Sequence, residues 1–94
     1  MLNYDWYQRI DPIAQRVVGP LFSELPENVT SVVESLCSCG EEIDGAFRAL
    51  SGALEYRVPI PHDVLAAARQ IADDSSEWMH EVYAELLEQI EMTA

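Results

Sequence analysis

Apolar residues return every three or four positions along almost the whole chain, and no stretch alternates apolar with polar as a half-buried strand would. A chain patterned this way can bury its apolar stripes only by packing helix on helix. The expected fold is therefore all-α: a single-domain bundle of four to five short antiparallel helices over residues 1–94. A domain of this length buries about 60–65% of its unfolded surface, enough for one core and not for a deep substrate cleft.

Proline and glycine set the boundaries. Tyr4, Trp6, Tyr7 and Ile10 share one helical stretch, and Asp11-Pro12 then forms a helix start, with the carboxylate as cap and proline at the first position. Gly19-Pro20 predicts a kink or break in the helix that carries Ile13, Val17, Val18, Leu21 and Phe22. Leu25-Pro26 opens the next helix, which carries Val29, Val32, Val33 and Leu36 to about Ser38, and Gly40 ends it. A third helix runs to about Tyr56 with Ile43, Phe47, Leu50 and Leu54 as its stripe. Gly45 and Gly52 on that helix allow a close helix neighbour. Val58-Pro59-Ile60-Pro61 is extended, because proline pushes the preceding residue out of the helical region. A fourth helix runs from about His62 to Ala72 and buries Val64, Leu65, Ala68 and Ile71. After a turn at Asp73-Asp74-Ser75-Ser76, a fifth reaches about Glu91 with Trp78, Val82, Leu86 and Ile90 every four residues, a stripe widened by Tyr83 and Leu87.

Charge narrows the function classes. There are 17 acids against five arginines, no lysine, and a net charge of -12. Nucleic acid is excluded as a direct ligand, since phosphate binding needs clustered cations. A basic protein partner is favoured, with long-range steering towards it. The imbalance grows along the chain: beyond residue 69 there are seven acids and no Lys or Arg. The hydrophobic share of 49% separates the chain from acidic disordered segments. The N-terminal MLNYDWYQRI has neither the basic nor the apolar region of a secretory leader, and no apolar run approaches the ~20 residues of a membrane span. A cytoplasmic location, with no membrane contact, is expected.

Few residues invite chemistry. Cys37 and Cys39 lack redox or zinc spacing, and as thiols near a helix C-terminus they sit where a thiolate is disfavoured. Glu77-x-x-His80 is half of a di-iron motif with no second copy. His62 follows a proline corner without a nucleophile signature, and the glycines form no phosphate loop. No enzymatic activity, cofactor or metal is expected. The aromatics Tyr4, Trp6 and Tyr7 are expected to pack against Trp78 and Tyr83, first helix on last, or else to leave Trp6 or Tyr7 exposed as an interface anchor. Glu77, Glu81, Glu85 and Glu88 form a negative stripe whose like-charge neighbours weaken the helix slightly, as suits a surface shaped for a basic partner.

From Leu25 to Asp74 the order is Leu-Pro, a helix, Cys39-Gly40-Glu41, Ala46-Phe47-Arg48-Ala49-Leu50 with Leu54, the Val58-Pro59-Ile60-Pro61 corner and a further helix. This resembles the small immunity proteins of bacterial polymorphic and contact-dependent toxin systems, in particular the MafI type. The resemblance implies an acidic, helical intracellular protein that binds and neutralises a cognate toxin domain, often a nuclease. It covers about half the chain and transfers no binding residue. The residues' own charge nominates Glu41, Glu42 and Asp44 at one helix start, and Asp73, Asp74, Glu77 and Glu81 at another, as partners for toxin Lys or Arg. Two other readings share the composition: an acidic nucleic-acid mimic that inhibits a DNA-binding protein, and an oligomeric scaffold or regulator with Gly45, Gly52 and the N-terminal aromatics as a homodimer seam.

Overall fold

The computed structural model describes residues 3–93 and contains six helices: α1 Asp5–Arg9, α2 Pro12–Phe22, α3 Glu27–Ser38, α4 Glu42–Glu55, α5 His62–Asp74 and α6 Glu77–Thr93. The fold is all-α, with no strand among the described residues. The extra helix is α1, a single turn and a half. Each boundary has a local cause. The Asp11 carboxylate accepts the Ile13 N–H at 2.9 Å, which caps α2 ahead of Pro12. Gly40, at φ 81, closes α3. Its N–H donates to Cys37 O at 3.2 Å, and the Glu41 N–H donates to Leu36 O at 2.9 Å. The same double closure ends α4, where Val58 N–H donates to Ala53 O at 2.8 Å. There the left-handed residue is Arg57, at φ 57, a conformation that glycine adopts far more cheaply.

Pro20 does not break α2; the helix continues through it to Phe22. Only two residues follow, so little of the hydrogen-bond ladder is lost, and buried Val17, Val18, Leu21 and Phe22 hold the last turn in the core. Gly19 admits α1: a Cβ there would collide with the Tyr7 hydroxyl. Across Ile10 and Asp11 the chain doubles back, so that side chains of α1 reach α2 while its backbone lies nearer α3. Tyr7 Oη donates to Gln15 O at 3.0 Å, and Gln15 Nε2 returns a bond to Tyr7 O at 2.7 Å.

That fold-back overturns the expected packing of the first helix on the last. Trp6 is buried, stacked on Tyr4 at 5.5 Å and tilted against Phe22 at 5.6 Å. Tyr83 instead meets Phe47 edge-on at 5.3 Å. Neither Trp6 nor the half-buried Tyr7 is free to anchor a partner.

Residues from all six helices share one core, and no charged or polar residue is buried among the described residues. The most extensive helix pair is α3 with α4. Gly45 and Gly52 lie seven residues apart on one face of α4, where a Cβ would come within 2.6 Å of Cys37 Sγ and of Val29 Cγ1 respectively. The small-residue seam is thus filled inside the chain and is not available to a second copy. No described helix is long and apolar enough to cross a membrane.

Candidate partner-binding face

The directions of the helices decide where the charge collects. Tyr83 in α6 donates its hydroxyl to the carbonyl of Ile43, the second residue of α4, at 2.6 Å. Farther along both helices, Leu54 of α4 and Ile90 of α6 line one groove. So α4 and α6 run parallel, and both start at the same end of the bundle. At that end α5 finishes, since its Ala72 carbonyl accepts from His80 Nδ1 of α6 at 2.7 Å. A carbonyl can only accept, which fixes the His80 proton on Nδ1. The start of α2 is there too, because Asp11 N–H donates to a Glu42 carboxylate oxygen at 3.1 Å.

All seven nominated acids therefore face one end: Glu41, Glu42 and Asp44 from α4, Asp73 and Asp74 from α5, and Glu77 and Glu81 from α6. One placement differs from the sequence expectation. Asp73 and Asp74 belong to the last turn of α5 and do not lead into α6. There the helix dipole opposes negative charge rather than favouring it. A second difference concerns Glu42, which is half-buried and occupied with the α2 backbone, so its carboxylate is partly committed to the fold. Asp44 is also half-buried, while Glu41, Asp73, Asp74, Glu77 and Glu81 are exposed. The two ion pairs among the described residues are Arg48 with Glu55 at 4.0 Å and Arg69 with Glu91, and neither involves a nominated acid.

This end also carries an exposed aromatic that the expected α6 stripe placed in the core. Trp78 is 67% exposed, and the buried face of α6 is formed by Tyr83, Leu86, Leu87 and Ile90, with Met79 half-buried above them. A strict four-residue spacing advances about 400° per step, so a run from 78 to 90 drifts about 120° around the helix. Its end lies in the core and its beginning does not. An i, i+3, i+4 template centred on Tyr83 recovers the buried face.

The Cys37 thiol and the Tyr83 phenol at this end stay protonated at neutral pH. Burial and the nearby Glu42 carboxylate push the Cys37 thiol up to about 11. Burial, then Asp44, then Cys37 raise the Tyr83 phenol above its ordinary value. Cys37 and Cys39 are free thiols, the first buried and the second exposed. Among the described residues, no three His, Cys, Asp or Glu side chains gather where they could hold a metal. The opposite end carries an open groove of ≈ 890 Å³, walled by Leu54, Val58, Ile60, Leu65, Ile90 and Met92 with Arg57 at its edge.

Compared with known proteins, the chain matches no family model, no curated protein and no solved structure.

Proposed function

We propose that this protein acts by binding and not by catalysis. It neutralises a cognate toxin domain in the manner of the MafI-type immunity proteins it resembles, within the cytoplasm of the cell that makes both. Its acidic end covers a basic active-site cleft, of the kind a nuclease presents to phosphates. The observation that carries this reading is the convergence of two acidic groups, far apart in sequence, on one end of the bundle, with none of their carboxylates ion-paired among the described residues. Exposed like charges in that arrangement steer a basic partner and raise the association rate. Apolar contacts at the same face would then set the dissociation rate.

The test is capture from the source organism's lysate at low and moderate salt, followed by expression of what is captured. The expected result is one basic protein, retained at moderate salt, toxic when expressed alone and harmless when co-expressed with this chain. Reversing Asp73, Asp74, Glu77 and Glu81 to Lys together should abolish both capture and rescue. An unaffected quadruple variant would remove this end as the binding face. Several DNA-binding proteins, all released as salt rises, would replace the toxin reading with nucleic-acid mimicry.

A further inference from the structure

The charge at the acidic end says what kind of partner approaches; Trp78 says how that partner is held. The indole is 67% exposed on the first turn of a 17-residue helix, and none of the ring contacts among the described residues includes it. The α6 core contacts are made without it, by Tyr83, Leu86, Leu87 and Ile90. On the helix surface its neighbours three and four positions on are Glu81, exposed, and Val82, half-buried, with Glu85 one turn beyond. α6 contains neither Lys nor Arg. A large aromatic face is thus presented to solvent inside a field of unpaired carboxylates.

We propose that Trp78 is the anchor on which a basic protein partner lays an arginine side chain, with the guanidinium stacked on the indole and forked onto Glu81 or Glu85. This rests on the reading of a basic partner given above. Arginine fits better than lysine for two reasons. Its planar, weakly hydrated guanidinium stacks on an aromatic face, and its five donors match carboxylates two at a time. A lysine ammonium gains from the carboxylates but holds its hydration shell and stacks poorly.

The experiment titrates the full chain with nona-arginine and with nona-lysine at low salt, following tryptophan emission. Trp6 is buried and shielded, so a response reports Trp78. Nona-arginine should shift the emission, protect it from acrylamide quenching and bind about three- to tenfold more tightly than nona-lysine. Titration calorimetry supplies the affinities of the variants that lack this reporter: Trp78→Ala should lose the preference and keep equal, salt-sensitive binding of both peptides, with an unchanged melting temperature. Trp78→Phe should keep part of the preference. Equal affinities in the unmodified protein, or a preference that survives in Trp78→Ala, would overturn the anchor and leave the basic-partner reading standing. Failure of both peptides to bind would overturn both.

Discussion

Gly52→Ala tests the α3–α4 seam by the sign of its effect. In an unobstructed helix interior, replacing glycine by alanine stabilises by about 1 kcal/mol, since alanine has less backbone entropy to lose. Here the new methyl would lie 2.6 Å from Val29 Cγ1, 3.3 Å from Val29 Cγ2 and 3.5 Å from Leu25 Cδ2. Val29 is fully buried and β-branched, so it has no spare rotamer to swing into. The helices must move apart, and overpacking of this kind costs about 1–3 kcal/mol or somewhat more. Set against the propensity gain, the expected net is a loss of up to about 2 kcal/mol, read as a drop in Tm of up to about 15 °C for a domain this size. Urea unfolding should show a lower midpoint with unchanged slope. Adding Val29→Ala supplies the room: the double variant should be less destabilised than the sum of the two singles. A Gly52→Ala protein as stable as the parent, or more so, would mean that α3 and α4 do not approach this closely.

Three further outcomes follow from the helix ends and the buried acids. Arg57→Gly relieves a left-handed residue at the α4 closure and should raise stability by about 0.5–1 kcal/mol in urea melts. Asp74→Arg replaces an adverse charge at the α5 C-terminus and should stabilise by about 0.5–1 kcal/mol at low salt, with most of the gain gone at high salt. Burial raises the Cys37 and Tyr83 groups in the folded state, so their contribution is complete below their ordinary values. It is lost as the pH climbs through the folded ones. Unfolding free energy should therefore be flat in this respect near neutrality. It should fall from about pH 9, by up to ~1.4 kcal/mol per pH unit for each group that ionises on unfolding. A Cys37→Ser protein should lose the part of that decline between about 9 and 11.

Much of the architecture follows from local chemistry. Asp11-Pro12, Gly40 and the Val58-Pro59-Ile60-Pro61 corner each act within a few residues, and each falls where the spacing puts it. Two differences from the local pattern have geometric origins. A period of four groups Trp78 with Val82, Leu86 and Ile90, yet it does not stay on one face of a 3.6-residue helix. The intrinsic cost of Pro20 favours a break, whereas tertiary burial of the turn around it keeps α2 helical to Phe22. The convergence of the acids was within reach of the sequence but needed one more step. Short connections make the chain reverse direction from α4 to α5 and again to α6, so α4 starts, α5 ends and α6 starts at one end. What local pattern does not carry is the fold-back of α1 onto Gly19, because a methyl-sized gap on α2 has meaning only once Tyr7 is placed against it.

The acidic end is a cost that the rest of the fold absorbs. Each like-charge pair at four residues, Glu77 with Glu81 and Glu81 with Glu85, costs about 0.2–0.5 kcal/mol, and each acid at the α5 C-terminus about 0.3–1. Together these reach roughly 1–3 kcal/mol, against about 5–14 for the whole stability expected of a chain this long. The cost falls on α5 and α6, while the closest packing, with Gly45 and Gly52 seated against Cys37 and Val29, lies between α3 and α4. The repulsion thus lies outside the most closely packed helix pair. A cationic partner that settles on the acidic end removes the repulsion at the same time as it forms new contacts. The strain held by the free protein then becomes part of the driving force for binding, and mutations that relax it should stabilise the free protein while weakening its complex.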